Sequence, residues 1–303
     1  MAYISLRRVV VLAVLQVAIL AFLFTRHGHG HEAIARSPTP TPTVDRFDAG
    51  RALATVRLQL AAGQRPAGSP QLRRVAEKLR AKLPDAHFED VPVADPTHPL
   101  RNIVGRLPGT QPAIVLGAHY DTEYHPKGFV GANDAAAAVG TVIEVARDLK
   151  AMKRPKDAPE IDFVLFDGEE EPFPTNDFYR DALRGSKAYV NAHPGQTRAM
   201  LLLDYMGNRG VRLPREATSN ARLWSTVRVA ARRVGVGAVF PNVPETSIID
   251  DHSPFLAAGT PAVDFIDWSY PVKDTIRDTY DQLSERAIDA VGETVVELLR
   301  TYK

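Results

Sequence analysis

Short apolar runs that alternate with segments of helical periodicity constrain the fold of this chain more than any other feature. Each run is long enough for one buried strand, and the segments between and after the runs repeat apolar residues at helical spacing. Strands that alternate with helices along a chain predict a largely parallel sheet covered on both faces. The predicted strands are residues 113–118, 162–166, 199–203 and 262–266, and the predicted helices are residues 47–60, 70–83, 134–152, 185–191, 220–234 and 284–299.

The composition excludes several classes of partner and ligand. The 303 residues carry a formal net charge of +1, which supplies no basic field for nucleic acid. The sequence contains no cysteine, so disulfides and thiolate metal ligands are ruled out. Any metal ion must therefore be held by His, Asp and Glu side chains, a ligand set that suits zinc in a catalytic site.

The first residues predict a targeting segment. Arg7 and Arg8 precede an apolar stretch at residues 9–24, which is the pattern of a signal peptide or an N-terminal anchor. The small residues of a cleavage site do not follow closely, so an uncleaved signal anchor at residues 1–26 is preferred to a signal peptide. The basic pair on the cytoplasmic side predicts an extracytoplasmic domain, held at the cell membrane by the anchor or secreted if the segment is cleaved.

The rest of the chain divides into a linker and one domain. Residues 27–46 hold three histidines and a stretch in which Pro alternates with Ser and Thr, which predicts an extended linker. Residues 47–303 have the composition of a single catalytic domain, without an internal repeat or a second linker.

Acidic and imidazole side chains cluster where the predicted strands end. In a parallel sheet the carboxyl ends of the strands share one edge, and ligands bind there. Glu169 and Glu170 repel each other in a confined site unless a cation neutralises one while the other holds a proton. A metal site beside a general base meets that requirement, although each residue alone also fits a solvated loop or, for Asp134, a helix N-cap. The residues are His119, Asp121, Asp134, Glu169, Glu170 and Asp204.

Seven short motifs resemble, in the same order, those of the glutaminyl cyclase branch of the M28 zinc peptidase superfamily. The resemblance covers roughly residues 50–295. It implies the α/β class, with a three-layer α/β/α sandwich and a mixed, mainly parallel central sheet. The sequences of residues 129–131 and 250–254 are more similar to those of the cyclases than to those of the ordinary aminopeptidases. The motifs lie at residues 65–70, 102–105, 119–121, 129–134, 166–170, 203–204 and 250–255.

The resemblance implies a role for the residues at the strand ends. Asp134 and Glu170 are similar to the two carboxylate zinc ligands of the cyclases, and Glu169 is similar to their general acid and base. Asp204 and Asp251 match acids that orient the substrate. One zinc ion is favoured on this pattern.

A second ion is also possible on the same resemblance. In the two-zinc aminopeptidases, the position of Asp204 binds a second metal together with the position of His119. Asp121 is then expected to hydrogen-bond the far nitrogen of His119 and to orient its ring. His252 is expected to support the metal ligands without contacting the metal ion itself.

One position departs from the family pattern. The last zinc ligand of the family is a histidine followed by threonine, but this chain has Asp274 before Thr275, and Lys273 where the cyclases have a tryptophan. A carboxylate reaches less far than an imidazole and weakens the metal as a Lewis acid. Three interpretations stay open: Asp274 ligates directly, His252 or His125 replaces the histidine, or the site binds metal weakly and activity is lost.

The resemblance implies a zinc-dependent glutaminyl-peptide cyclotransferase, which converts the N-terminal glutamine of a peptide or protein to pyroglutamate and releases ammonia. Two alternatives stay open, an M28-type zinc aminopeptidase and an inactive relative that binds peptides. Trp268 is expected either to form the displaced aromatic wall of a substrate pocket or to be a buried structural residue.

Overall fold

The computed structural model describes residues 38–92, 97–174 and 176–302. The predicted anchor and residues 27–37 of the predicted linker lie outside these ranges and stay predictions. Over the described part of the chain, no helix is both long enough and apolar enough to cross a membrane. The described end of the predicted linker contacts the domain, because the backbone N–H of Thr43 donates to the carbonyl of Val234 at 3.0 Å.

One mixed sheet lies at the centre of the domain. Its strands are β1 (His87–Val91), β2 (Leu100–Leu107), β3 (Thr110–His119), β4 (Pro159–Phe166), β5 (Thr197–Leu203) and β6 (Ala262–Phe265). Their spatial order is β1-β2-β4-β3-β5-β6. Strands β4, β3, β5 and β6 run parallel, whereas β1 and β2 join one edge in antiparallel pairs. The predicted α/β fold with a mixed, mainly parallel sheet is confirmed.

Helices cover both faces of this sheet. The α-helices of the described residues are α1 (Ala49–Leu60), α2 (Pro70–Arg80), α3 (Ala137–Ala151), α4 (Phe178–Asp181), α5 (Arg184–Ala192), α6 (Ala221–Arg233), α7 (His252–Ala257) and α8 (Glu285–Thr301). Helices α1, α2, α3, α6 and α8 pack into a large core on one face. Helices α5 and α7 pack into a smaller core on the other face. The result is the expected three-layer sandwich.

The central strands are apolar on both faces because both cores need them. Ile114 and Leu116 of β3 enter the large core, whereas Val115 between them enters the small one. In β5 the same alternation sends Leu201 to the large core and Met200 to the small one. Successive side chains of a strand point to opposite faces, so a strand covered on both sides has a continuous apolar run. This explains why these strands could be located from sequence.

Two features of the fold differ from the sequence-based prediction. The helix predicted at residues 134–152 begins at Ala137, because Asp134 has a φ of −114° and a ψ of 89° and lies outside the helical conformation. Asp134 is therefore no helix N-cap, and its carboxylate is available to the sheet edge.

Strands β1 and β2 have no counterpart in the prediction. β1 is a mostly polar edge strand, and β2 interrupts its apolar residues with Arg101, Asn102 and Arg106.

Candidate metal centre

Three neighbouring parallel strands place the candidate site. His119 is the last residue of β3, and Asp204 comes directly after β5. Glu169 and Glu170 follow β4 after Gly168, whose φ of 77° turns the chain at the strand end. Because β4, β3 and β5 are adjacent and parallel, their carboxyl ends bring these side chains to one edge of the sheet.

The ring of His119 lies among three carboxylates. Its Nε2 is 2.9 Å from Oδ1 of Asp134 and 3.7 Å from Oδ1 of Asp204. Ligand atoms of His119, Asp134 and Asp204 all lie within 4.8 Å of one another. Burial opposes protonation of the ring, but interaction with the carboxylates of Asp121, Asp134 and Asp204 raises the pKa of His119 overall. The structure thus brings together the residues that the resemblance assigns to a second ion.

Asp121 positions the turn that carries the two glutamates. Its Oδ1 accepts the backbone N–H of Glu169 at 3.2 Å, and its Oδ2 accepts the backbone N–H of Glu170 at 3.3 Å. Oδ1 also lies 3.6 Å from Nδ1 of His119, which is longer than a hydrogen bond. Asp121 therefore fixes both glutamates relative to His119, and its contact with the ring is looser than expected.

The ionised forms of the two glutamates are disfavoured. Burial raises the pKa of Glu169 well above its usual range; His119 opposes this shift and the charge of Asp251 adds to it. Burial likewise raises the pKa of Glu170, and the charge of Asp134 adds to it. One oxygen of each glutamate lies within 4.8 Å of a ring nitrogen of His119. A proton can therefore be held beside the donor cluster, as a general acid and base requires.

The two acids predicted to orient the substrate are both buried. Burial raises the pKa of Asp204 to about 8, although its Oδ1 accepts the backbone N–H of Tyr205 at 2.8 Å. Burial and then the charge of Asp250 raise the pKa of Asp251 well above its usual range. Neither carboxylate oxygen of Asp251 makes a hydrogen bond within normal geometry. Unused acceptors of this kind are suited to a ligand that brings N–H donors.

Tyr205, which sequence reasoning missed, connects Asp134 to Asp274. Its hydroxyl lies 2.8 Å from Oδ2 of Asp134 and 2.6 Å from Oδ1 of Asp274. Because Oδ1 of Asp134 faces His119, the two oxygens of this carboxylate face different donor groups. Glu123, also missed, forms a group with Asp134 and Asp274 in which the ligand atoms lie within 4.8 Å of one another. The position of Tyr205 next to Asp204, the residue that follows a predicted strand, was the one available signal.

The three ligands predicted for one zinc ion fall into two groups. Glu170 belongs to the group around His119, whereas Asp274 belongs with Asp134 and Glu123. Within the described ranges, no group contains Asp134, Glu170 and Asp274 together. Their convergence on a single ion stays a prediction.

Asp274 lies on the solvent side of the site. Its side chain is 45% exposed, its φ is 57°, and Nζ of Lys273 is 3.3 Å from its Oδ2. The same ammonium group lies 3.6 Å from the centre of the Trp268 ring, which meets Tyr205 edge-on at 6.4 Å between centroids. Trp268 is therefore a partly exposed wall beside the site and not a buried structural residue.

Two histidines, His125 and His252, were considered as replacements for the missing ligand. Neither belongs to the group of potential ligands that contains Asp274. His125 is exposed and belongs to none of the potential ligand groups found in the described part of the chain. His252 is buried and groups with Asp250 and Asp264. The group that includes Asp274 holds carboxylates alone.

Arg65 supports the segment that carries Asp134. Its fully buried guanidinium donates to the backbone carbonyls of Tyr120, Val130 and Gly131 at 3.2, 2.5 and 3.3 Å. Burial lowers the pKa of Arg65 to about 10, and the charge of Asp134 opposes that shift. The arginine belongs to the motif at residues 65–70, but sequence reasoning gave it no role.

The donor set fits a divalent cation such as zinc. Imidazole nitrogens and carboxylate oxygens are the zinc ligands available without cysteine. The ligand atoms are buried and close together, and burial and mutual repulsion raise the pKa of Glu170 and Asp204. A cation bound among these carboxylates removes that repulsion. One or two ions would be held by His119 with Asp134 and Asp204, by His119 with Glu170, or by Asp134 with Glu123 and Asp274 on the solvent side.

The fold and the donor cluster together define a class of protein, the α/β/α proteins with a cluster of imidazole and carboxylate donors at the carboxyl edge of their parallel strands. Residues 102–299 match the model of Peptidase family M28. The match covers more than half of the chain, and the chain belongs to this family.

Curated relatives of the chain include glutaminyl-peptide cyclotransferases. The Glutaminyl-peptide cyclotransferase of Bothrops jararaca is 26% identical over 239 residues, which are 66% of this chain and 65% of that protein. The Glutaminyl-peptide cyclotransferase-like protein of Bos taurus is 29% identical over 279 residues, 78% of this chain and 72% of that protein. The chain thus spans about two thirds of the length of the curated relatives it matches.

Solved structures of two activities have a similar fold. The glutaminyl cyclase of an Acidobacteriales bacterium matches with a TM-score of 0.76 and 27% identity over 88% of this chain and 98% of that chain. A leucine aminopeptidase precursor from Bacteroides thetaiotaomicron matches with a TM-score of 0.76 and 25% identity over 86% of this chain and 100% of that chain. The predicted resemblance to the glutaminyl cyclase branch of M28 is confirmed. Overall fold similarity does not separate the cyclase reaction from the aminopeptidase reaction.

Proposed function

We propose that this protein is a zinc-dependent glutaminyl-peptide cyclotransferase that converts the N-terminal glutamine of peptides to pyroglutamate. The observation that carries the proposal is the position of Glu169, a buried carboxyl group with a raised pKa whose oxygen lies within 4.8 Å of the His119 ring in the donor cluster. The cyclase relatives support the choice of reaction. Zinc bound by this cluster would polarise the side-chain amide carbonyl of the substrate.

Glu169 is the proposed proton carrier. The α-amine nitrogen of the substrate forms a bond to the side-chain amide carbon, and the bond from that carbon to the amide nitrogen breaks. Glu169 takes a proton from the attacking amine and gives it to the departing nitrogen, which leaves as ammonia. No water molecule is consumed. The backbone hydrogen bonds from Glu169 and Glu170 to Asp121 hold the carboxyl in place during both transfers.

Asp204 and Asp251 are the proposed acceptors for the substrate's N-terminal amine. Both are buried, and the unpaired oxygens of Asp251 are available to N–H donors. Trp268, beside Tyr205 and 37% exposed, is the proposed apolar wall for the glutamine side chain. Together these groups orient the amine toward the amide carbon, which lowers the entropic part of the barrier.

The test compares the wild-type protein with Glu169→Gln, using a glutamine-initiated peptide, zinc and an assay for released ammonia. We expect the substitution to lower kcat by about 10²–10⁴-fold, the range for loss of a general acid or base. Glu171→Gln, which removes a neighbouring charge, is the matched control and should keep its activity. Ammonia release by wild type that persists unchanged in Glu169→Gln, or none from the zinc-loaded wild type, would remove the proposal.

An M28-type aminopeptidase is the second candidate, and the carboxylate of Asp134 favours it. One oxygen faces His119 and the other faces Tyr205 and Asp274, so the residue lies between two donor groups, as in a two-metal site. Two zinc ions at the candidate metal centre, located by anomalous diffraction, together with hydrolysis of a leucine-initiated peptide would support this reaction. One ion at that centre together with ammonia release supports the cyclase. Peptide binding without turnover supports an inactive relative.

We further propose that residues 1–26 anchor the protein in the cell membrane with the catalytic domain outside the cytoplasm. The basic residues before the apolar stretch support this orientation. Protease treatment of intact cells should degrade the domain while cytoplasmic markers survive. Recovery of the protein with those markers would contradict the proposal.

A further inference from the structure

A fourth group of potential ligands shares no residue with the candidate metal centre. It consists of Asp250, His252 and Asp264, which are 3%, 0% and 0% exposed. One ligand atom from each lies within 4.8 Å of the other two, so all three can contact a single ion. The other three groups of this kind in the described residues all contain His119 or Asp134. The fourth group is therefore a separate site.

Buried polar atoms of this group lack hydrogen-bond partners. Both carboxylate oxygens of Asp264, Nδ1 of His252 and Oδ2 of Asp250 make no hydrogen bond. Nδ1 of His252 lies 3.8 Å from Oδ2 of Asp264, which is too long for a hydrogen bond. Leaving such groups buried and unpaired costs several kcal/mol in total. Nδ1 of His252 and Oδ2 of Asp264 are too far apart to pair yet close enough to share one ion, which points to a missing ligand.

The other edge of the imidazole is already held in place. Nε2 of His252 lies 3.0 Å from Oγ1 of Thr218 and 3.4 Å from Oε2 of Glu216. Glu216 accepts the backbone N–H groups of Thr218, Ser219 and Ile248 at 2.9, 2.7 and 3.1 Å, and these bonds fix its carboxylate. A histidine with one nitrogen on a fixed carboxylate and the other unpaired has the arrangement of a metal-bound imidazole.

We propose that Nδ1 of His252 and the carboxylates of Asp250 and Asp264 bind a divalent cation of the zinc class, separate from the candidate metal centre. Two carboxylates and a neutral imidazole balance the charge of such an ion, and the donors are of the type that zinc accepts. No cysteine is needed. The enclosed position favours a structural ion over a catalytic one, because substrate has no access to fully buried ligands.

The ion would join parts of the fold that are distant in sequence. Asp264 is in β6, the edge strand next to β5, whereas His252 is the first residue of α7. Asp250 lies in the loop before α7, and the N–H of Asp251 donates to Oδ1 of Asp250. Holding Asp250 therefore also holds Asp251, whose charge acts on Glu169. The site thus supports the candidate metal centre through the loop at residues 250–251.

The test is elemental analysis of full-length protein after exhaustive dialysis, with Asp134→Asn and Asp264→Asn compared with wild type. We expect Asp134→Asn to keep at least one tightly bound ion per chain and Asp264→Asn to contain one fewer ion than wild type. Asp162→Asn is the matched control, since Asp162 is a buried strand carboxylate paired with Arg106 at 2.7 Å, and its metal content should equal that of wild type.

Crystals of the wild type give a result that does not depend on how the variants fold. Anomalous diffraction at the zinc edge should show a peak bounded by Asp250, His252 and Asp264. Absence of that peak in crystals grown with zinc would overturn the proposal and leave a proton-sharing acid pair with a histidine. Neither measurement depends on cyclase activity, so this site and the proposed function can fail separately.

Discussion

The hydroxyl of Tyr205 lies 2.6 Å from a carboxylate oxygen of Asp274. The same hydroxyl lies 2.8 Å from Asp134, a residue that also contacts the ring of His119. Asp274 therefore faces the candidate metal centre although its side chain is 45% exposed. The family resemblance predicts a histidine ligand at this position, and the aspartate present there lies beside Tyr205 and groups with Asp134.

Asp274→His should strengthen zinc binding. The imidazole reaches further and adds no negative charge, so we expect zinc affinity to rise by about tenfold, or about 1.4 kcal/mol. Competition with a chromophoric chelator measures the change. Asp281→His, on the exposed turn nearby, is the control and should leave affinity unaltered. Equal affinity in wild type and Asp274→His would show that residue 274 does not approach the ion.

Tyr205→Phe should destabilise the protein most when metal is absent. The substitution leaves a buried oxygen of Asp134 without its donor, which costs about 1–3 kcal/mol. Saturating zinc should recover much of that loss, because the ion takes over the pairing of the carboxylates. Urea unfolding with and without zinc measures both values.

Tyr189→Phe is the control for this effect. Its hydroxyl donates to Asp162 at 2.8 Å on the small-core face, so its loss should cost a similar amount with no zinc dependence. If zinc recovers both variants equally, the hydroxyl of Tyr205 has no special relation to the ion.

The sequence predicted the residues at the strand ends better than their partners. His119 and Asp204 could be placed because they end buried apolar strands, whose parallel order follows from the alternation with helices. Asp134 could be assigned as a ligand rather than a helix N-cap only by family resemblance, because a helix pattern beginning at that residue hides the irregular segment before α3. Local periodicity does not encode such a departure from helical geometry.

Glu123 and Tyr205 could not be predicted because their directions depend on tertiary structure. Tyr205 has a φ of 40°, which no pattern of apolar spacing indicates, and this conformation turns its ring back toward Asp134. Asp167, to which sequence reasoning gave no role, is buried and accepts the backbone N–H of Arg101 at 2.9 Å.

Asp148→Asn should remove part of the pH dependence of stability. Burial, and then the charge of Glu144, raise the pKa of Asp148 from its usual 3.8 to about 7 in the folded protein. Between these values the folded state binds more protons than the unfolded state, so this group makes stability fall as pH rises from about 4 to about 7. Solvent screens part of the charge interactions of Asp148. We therefore expect this group to contribute about 1–2 kcal/mol to the free energy of unfolding over that range.

Urea unfolding at pH 5 and pH 8 checks this prediction. The difference in the free energy of unfolding between the two pH values should be smaller for Asp148→Asn than for wild type. Asp157→Asn, an exposed neighbour, is the control and should follow wild type. A larger pH dependence in Asp148→Asn would mean that the carboxyl is stabilised in its ionised form.

Asp121→Asn should weaken metal binding at the candidate metal centre, although Asp121 belongs to none of the potential ligand groups found in the described residues. The two carboxylate oxygens accept different backbone N–H groups, one from Glu169 and one from Glu170, and the NH2 group that replaces one oxygen in asparagine cannot accept. The turn after β4 should therefore shift, and we expect zinc affinity and kcat each to fall by about 10–100-fold.

Chelator competition and ammonia release measure the two effects, with Asp90→Asn on the edge strand β1 as control. The folded fraction, followed by circular dichroism, should stay near that of wild type, because the core beneath β4 does not depend on this carboxylate. Normal affinity in a folded Asp121→Asn variant would mean that the glutamates are held by the strand ends alone.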